Sequence, residues 1–383
     1  MFELRKFVVP EFIFGVGARH KVGLYARNLN AKRVLVVTDP GVIAAGWLAE
    51  LTTDLDEAGI SHALFSQVTP NPRDHEVMAG VEFYRAAGCD VIVALGGGSV
   101  MDCAKGISVV IANGGDILDY EGVDAIPMPG PPLICIPTTA GTAADISQFA
   151  IINAVSRRTK VAIISKIVVP DVALVDPETT LTMSPSLTAF SGLDALTHAI
   201  EAYVSSASSP LSDVHALAAV RGVRTSLQQA VIQPDDLQAR EQMMLASLQA
   251  GMAFSNASLG ATHAMAHSLG GYLDLAHGEC NALLLPAVVD FNFHASEDRF
   301  IQIGEAMGLE MKQGTPQEKL RRIMDDIHAL RAAVGVEGGL SERGVSRAVV
   351  ADLADHALND SCIYTNPRRV TASDLRVIYA EAL

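Results

Sequence analysis

His263, His267 and His277 fall within a single stretch, Ala261 to Gly278. His263 and His267 are four residues apart in a run compatible with helix, so both rings leave the same helix face. His277 follows Gly270-Gly271, a pair expected to break the helix and let the chain fold back. Earlier in the chain, Asp194 and His198 share the same spacing within Ser191 to Tyr203, which also reads as helix. Two helices with two side chains each, together with His277, could surround one divalent cation with imidazole nitrogens and a carboxylate oxygen. That donor mixture suits iron(II), zinc, cobalt or nickel and is too rich in nitrogen for magnesium or calcium. A plainer reading stands beside it, because a lone histidine on an apolar face is usually packed in a core or solvated. Spacing alone does not say which of these residues would be ligands.

A second chemistry is suggested nearer the N-terminus by Gly96-Gly97-Gly98-Ser99, between a strand-like run and a helix. Glycines let a phosphate approach the backbone, where free amides and the positive end of the following helix hold it. The structural alternative is a strand-to-helix turn with Ser99 as the cap and Asp102 completing a capping-box-like pair. Neither the Gly-x-Gly-x-x-Gly fingerprint nor a Walker loop is present, since Lys105 comes too late. Pro137 to Thr142, a threonine-rich turn after another strand, offers further hydroxyl and amide donors. Asp39 closes the first strand, where a carboxylate accepts hydrogen bonds from a ribose and repels a 2′-phosphate, so it selects NAD over NADP. Its plain alternative is a turn aspartate before Pro40.

These residues need elements to hold them, and the order of elements divides the chain. Arg33 to Thr38, His62 to Phe65, Asp90 to Leu95 and Leu133 to Ile136 are short apolar runs typical of strands buried on both faces. Helical spacing separates them at about 42–58, after Pro72, and at about 99–112. Such alternation predicts a Rossmann-like parallel sheet with helices on both faces and ligands beyond the carboxyl ends of the strands. Phe149 to Ile152 and Lys160 to Ile164, around the polar turn 156–159, predict a β-hairpin attached to this domain. Asp176 to Pro185 reads as a boundary. Beyond it the spacing is helical at 186–206, 211–228, 237–255, 259–271, 297–307, 315–334 and 345–357. The expected organisation is an α/β domain with an attached hairpin over 1–183 and an all-α domain over 184–383.

Composition narrows the partners. The chain has 383 residues, 28 basic against 43 acidic, for a net charge of −15. That charge repels polyphosphate and anionic lipid, which argues against nucleic acid and membrane surfaces. No apolar run approaches the ~20 residues of a membrane helix, and the N-terminus lacks a signal-peptide core, so a cytoplasmic protein is expected. Five scattered cysteines without a Cys-x-x-Cys pair indicate neither a disulfide framework nor a sulfur-rich metal site.

Taken together, these motifs resemble the iron-dependent, or group III, alcohol dehydrogenases over nearly the whole chain. The resemblance rests on Gly-Gly-Gly-Ser-x-x-Asp-x-Ala-Lys at 96–105, the threonine turn at 137–142, and the two stretches 191–203 and 261–278. It implies a dehydroquinate synthase-like fold, with a dinucleotide-binding domain over 1–183, a helical metal-binding and substrate domain over 184–383, and metal ligands at Asp194, His198, His263 and His277. His267 then matches a histidine near the nicotinamide. Asn71, Gly97, Gly98, Ser99, Thr138, Thr139 and Lys160 match cofactor-lining positions, and Phe149, Phe254 and Cys362 match positions near the substrate. The chain departs from the family at Ala143-Ala144-Asp145, where many members have Gly-Ser-Glu. The implied activity is reversible, metal- and NAD-dependent hydride transfer between a small neutral alcohol or diol and its aldehyde or ketone. Iron(II) is the expected metal, zinc its substitute, and a homodimer or larger homo-oligomer the expected assembly. A dehydroquinate synthase-like or glycerol dehydrogenase-like enzyme is the alternative. The anionic substrate of the former would need basic residues, and 190–220 and 251–286 contain no Lys or Arg.

Overall fold

The computed structural model describes residues 6–383. These residues form two compact units, Val8–Thr182 and Met183–Leu383, the second joined by the described residues before Val8. In the first unit the strands are β1 (Glu11–Phe14), β2 (Arg33–Val37), β3 (Ser61–Phe65), β4 (Val91–Gly96), β5 (Gly122–Val123), β6 (Leu133–Pro137), β7 (Phe149–Ala154), β8 (Thr159–Ile164) and β9 (Val172–Val175). Six of them build one parallel sheet in the order β1-β9-β6-β4-β2-β3. The helices of this unit are α1 (Val22–Asn28), α2 (Pro40–Ala44), α3 (Trp47–Glu57), α4 (Asp74–Ala87) and α5 (Gly98–Asn113).

The continuous apolar runs are explained by two cores, one on each face of the sheet. Val34, Val36, Val91, Val93, Leu95, Ile134 and Ile136 pack with Val22, Ala26, Leu51 and Leu55 of α1 and α3. Their neighbours Leu35, Val37, Ile92, Ala94 and Cys135 pack with Val77, Val81, Met101, Ala104 and Ile107 of α4 and α5. Strict alternation sends successive residues to opposite faces, so a strand covered on both sides must be apolar throughout. From β2 the chain moves outward to β3 and then returns to β4 on the other side of β2. That reversal is a topological switch point, and the crevice beyond the carboxyl ends of β2 and β4 is where such sheets bind ligands.

The hairpin β7–β8 forms, with antiparallel register from Phe149↔Ile164 to Ala154↔Thr159. It belongs to a separate three-stranded sheet with β5 rather than to the parallel sheet. The helix expected at 42–58 is two helices, because Gly46 adopts a left-handed conformation with φ 92° between α2 and α3. Strands β1 and β9, outside the expected alternation, extend the sheet at one edge.

In the second unit the helices are α6 (Pro185–Val204), α7 (Pro210–Ile232), α8 (Leu237–Ala257), α9 (Ala261–Leu273), α10 (His277–Phe293), α11 (Glu297–Ala306), α12 (Pro316–Ala333), α13 (Val350–Leu358) and α14 (Ala372–Ala382). Pro at the first helical position after Ser184, Ser209 and Thr315 marks the starts of α6, α7 and α12. From Thr188 onward α6 is almost wholly buried, packed by α7, α8 and α10. Helix α9 runs on through Gly270-Gly271, and the chain turns instead at Asp274, φ 56°. Helices α10 and α14 lie outside the segments that spacing alone marked.

Helix α14 braces α9 through Tyr379, which is fully buried and donates its hydroxyl to the Met265 carbonyl at 2.8 Å. Met265 lies between His263 and His267, so this contact fixes the helix that carries both. Tyr379→Phe is expected to cost about 1 kcal/mol, the worth of one hydrogen bond. Tyr379→Ala is expected to cost about 3–5 kcal/mol from the cavity it leaves. Thermal unfolding of both variants checks the order, and equal losses would show that the hydroxyl, rather than the ring, holds α14.

Candidate metal centre and cofactor loops

Helices α6, α9 and the start of α10 bring Asp194, His198, His263 and His277 together. One donor atom from each lies within 4.8 Å of all the others. Asp194 Oδ1 is 3.7 Å from His263 Nε2 and 3.8 Å from His277 Nε2, and Asp194 Oδ2 is 3.9 Å from His198 Nδ1. A tetrahedral ion with bonds of 2.0–2.2 Å separates its ligands by about 3.4 Å, so a small contraction closes this set on a divalent metal. Three imidazoles and a carboxylate are the donors expected of iron(II) or zinc, and the residues therefore fit such an ion. Gly278 makes the approach of α10 possible: a Cβ there would stand 2.5 Å from the Phe190 carbonyl oxygen and 3.4 Å from Asp194 Cβ.

The electrostatics follow from burial. Asp194 is 1 % exposed. Burial alone would raise its carboxyl, yet His198, His277 and His263 hold it far below the usual carboxylate range. For His263 burial favours the neutral ring, but Asp194 and Glu201 outweigh it and push the imidazole up to about 9. An unpaired ion in this place would cost several kcal/mol, and the mutual pairing removes that cost.

Three residues not singled out from the sequence complete the cluster. Glu201 accepts from His263 Nδ1 at 2.6 Å. Asn281 directs its amide nitrogen at Asp194 Oδ1, 2.6 Å, with His263 Nε2 at 3.1 Å and His277 Nε2 at 3.2 Å. Asp360 meets His267 Nδ1 at 2.8 Å and accepts from the Cys362 backbone N–H at 2.8 Å. A signal for Glu201 was present, since Asp194, His198 and Glu201 stand at i, i+4 and i+7 on one helix face. Asn281 stands at i+4 from His277, but that signal requires knowing that α10 begins at His277. Asp360 has no sequence pattern to mark it.

His267 stacks on the His277 ring with centroids 5.1 Å apart and forms with Asp360 and Cys362 a second group of close donors. Burial opposes ionisation of Asp360, but the His267 contact holds its carboxyl down at about 2. Burial and the adjacent Asp360 push the Cys362 thiol well up. Phe254 stacks on His198, centroids 4.3 Å apart, and walls one side of the metal cluster. Phe149, on β7, belongs to the sheet unit.

In the sheet unit, Asp39, Gly97, Gly98, Ser99, Thr138 and Thr139 gather at the carboxyl ends of β2, β4 and β6. Thr38 and Thr138 tie these ends together, with Thr38 Oγ1 donating to the Leu95 carbonyl at 2.8 Å and the Thr138 N–H to the Gly96 carbonyl at 2.9 Å. Asp39 Oδ1 caps α2 by accepting from Val42 N–H at 2.9 Å. Ser99 does not cap α5. The helix starts after Gly97 without a side-chain cap, and Ser99 Oγ accepts from Asn71 N–H at 3.2 Å, holding Asn71 at φ 56°. The N-terminal amides of a 16-residue helix thus face outward beside two threonines. The glycines also serve packing, because a Cβ on Gly98 would stand 2.8 Å from Thr142 and one on Gly96 2.5 Å from Val100. Lys160 pairs in register with Asn153 on the second sheet. Lys105 is fully buried and spent on structure, donating to the carbonyls of Ser147 and Phe149 at 2.9 and 2.7 Å. Asp145, at the departure from the family pattern, is buried and pushed up to about 6 by that burial.

Comparison with known proteins places this architecture. Residues 10–177 match the iron-containing alcohol dehydrogenases and residues 188–383 the C-terminal part of the Fe-containing alcohol dehydrogenase family. The chain is 37% identical over 377 residues to an NAD-dependent methanol dehydrogenase of Bacillus methanolicus, covering 98% of this chain and 99% of the relative. It is 39% identical over 379 residues to a 1,3-propanediol dehydrogenase of Citrobacter freundii, covering 98% of both. The crystal structure of a 1,3-propanediol oxidoreductase superposes with a TM-score of 0.96 at 37% identity, covering 100% of both chains.

The close crossing at Gly278 gives a direct check on the metal cluster. Gly278→Ala must push the start of α10 away from α6 and carry His277 with it. Zinc affinity is expected to fall at least about tenfold, as for changes just outside a metal's ligands. Zinc affinity equal to wild type in an equilibrium titration would show that His277 is not needed where the helix crossing puts it.

Proposed function

The chain belongs to the iron-containing alcohol dehydrogenase family, and from that premise we propose that Asp194, His198, His263 and His277 hold its metal while the loops after β2, β4 and β6 hold NAD. The activity is oxidoreduction between an alcohol or diol and its carbonyl product. What supports this assignment of residues most is the convergence of one carboxylate and three imidazoles within 4.8 Å. The expected domain roles follow, with 1–183 binding the dinucleotide and 184–383 the metal and substrate. A divalent ion there supplies Lewis acidity to an alcohol oxygen, and NAD supplies the hydride acceptor.

The protein's own groups do the rest. Asp360 accepts the Nδ1 proton of His267, which leaves the Nε2 lone pair of that ring to take a proton as the alcohol is oxidised. Phe254, on the His198 ring, excludes water from one side of the cluster, with Phe149 and Cys362 read as further substrate contacts. In the sheet unit the amides after Gly97 bind the cofactor's phosphates with Gly98, Ser99, Thr138 and Thr139. Asn71 and Lys160 complete that lining, and Asp39 receives the ribose. The segments bearing the metal residues carry no Lys or Arg, whereas Asp360, beside His267, adds a carboxylate held ionised. A substrate carboxylate would therefore enter a negative field unpaired, and a neutral alcohol would not. We read the protein further as cytoplasmic and as a homodimer or larger homo-oligomer, for which light scattering coupled to gel filtration is the check.

Enzyme prepared without oxygen and loaded with iron(II) or zinc is expected to oxidise short primary alcohols and diols with NAD, and lactate or hydroxybutyrate far more slowly. Faster turnover of a hydroxy acid would overturn the substrate reading. His267→Ala is expected to keep its metal and lose about 10²-fold in turnover. Loss of metal would make His267 a ligand or its necessary support, and full activity would leave it no chemical role. Asp39→Gly removes both the cap of α2 and the charge that repels a 2′-phosphate. The ratio of NADP to NAD use is expected to rise, and an unchanged ratio would leave Asp39 as a helix cap alone.

A further inference from the structure

Glu201 follows Asp194 and His198 on the buried face of α6 and is 3 % exposed. One of its oxygens, Oε2, accepts from Gly260 N–H at 3.0 Å and from His263 Nδ1 at 2.6 Å. The other, Oε1, accepts from Thr262 N–H at 2.6 Å. Gly260 is needed for this, since a Cβ there would stand 3.0 Å from Oε1. A single carboxylate thus ties the start of α9 to α6 and also holds the ring of a metal-cluster histidine.

We propose that Glu201 is a positioning residue for the metal: its carboxylate keeps the proton of His263 on Nδ1, so that the Nε2 lone pair faces Asp194 and the ion, and its charge completes a neutral buried cluster. The proposal rests on the reading of Asp194, His198, His263 and His277 as the metal's ligands. A divalent ion bound by three neutral imidazoles and one carboxylate retains one positive charge. Left alone in a site this buried, that charge would be costly, and Glu201 cancels it. A carboxylate accepts only, so the donor between Glu201 and His263 must be Nδ1–H, which leaves Nε2 as the sole lone pair on that ring. Nε2 is the nitrogen 3.7 Å from Asp194 Oδ1. Outer carboxylates of this kind orient a metal-bound histidine and raise its basicity.

Capping α9 and tuning the metal can be separated because a second residue shares only the first task. Asn366 Oδ1 accepts from Ala261 N–H at 3.1 Å and from the Asn292 amide at 3.0 Å, and Asn366 makes no hydrogen bond to His263. Metal-stripped full-length protein is titrated with zinc against a chromophoric chelator, and the melting temperature of the metal-free protein is measured in parallel. Glu201→Gln keeps the shape and an acceptor oxygen but loses the charge, and is expected to bind zinc about 10–100-fold more weakly. Asn366→Ser is expected to lower the metal-free melting temperature while zinc affinity stays near wild type. Near-wild-type affinity in Glu201→Gln, or an equal loss of affinity in Asn366→Ser, would overturn the proposal. His277→Ala serves as the reference: if it keeps zinc, the ligand reading itself fails, whereas loss there with retention in Glu201→Gln removes only the role of Glu201. Nitrogen-15 NMR of wild-type protein loaded with zinc, with His263 assigned by difference from His263→Ala, gives a test that does not depend on the folding of Glu201→Gln. A proton on Nδ1 is expected, and its absence would overturn the proposal.

Discussion

A carboxylate buried among three imidazoles is the constraint around which the helical unit is built. Asp194 is ionised and almost wholly removed from water, which is tolerable only while His198, His263 and His277 remain close. Each comes from a different place: the same helix, the start of α9 and the first residue of α10. Holding them at distances of 3.7–3.9 Å fixes how three helices cross. Small residues make this possible: Gly278 lets its backbone approach that of Phe190, and Gly260 admits the Glu201 carboxylate, more closely than a Cβ permits. Much of the surrounding packing, including Tyr379 beneath Met265, keeps α9 from relaxing away from the charge.

The sheet unit answers a different requirement. A dinucleotide needs amides and hydroxyls aimed outward from a rigid edge, and a parallel sheet supplies that edge because all its strands end on the same side. Alternate residues of β2, β4 and β6 fill two cores, so the strand ends cannot drift relative to one another. The glycine-rich turn serves packing, and on the proposed reading it serves binding with the same atoms. Gly96 and Gly98 admit Val100 and Thr142, and the same absence of side chains leaves the amides of α5 reachable.

What was legible in the sequence is what depends on local period. The alternation of apolar runs and helical spacing gave the parallel sheet and the helical half, and the pairs Asp194/His198 and His263/His267 gave two helix faces. Spacing could not separate His263 from His267, because each satisfies the same periodic rule. In the structure His263 faces Asp194 and Glu201, whereas His267 faces Asp360 on a distant part of the chain. The turn before His277 lies three or four residues beyond Gly270-Gly271, because α9 continues through both glycines and Asp274 makes the bend. Helix α10 carries Pro286 in its interior, which masked it as a helix. Asn281 and Asp360 depend on contacts across the fold that no short-range pattern records.

Two donor clusters stand side by side in the helical unit, and proton bookkeeping distinguishes them. Asp194, His198, His263 and His277 present lone pairs to one another, a repulsive arrangement unless a cation or shared protons lie between them. His267, Asp360 and Cys362 are instead already joined: the imidazole and the Cys362 backbone N–H both donate to the carboxylate, and burial keeps the thiol protonated. A metal entering the second cluster would have to displace the thiol proton and compete with the donors already on the Asp360 carboxylate, whereas the first needs only to give up the charge that its imidazoles share. The thiolate affinity that would otherwise draw zinc toward Cys362 is thereby suppressed, and His267 keeps the orientation that its proposed role as proton acceptor needs.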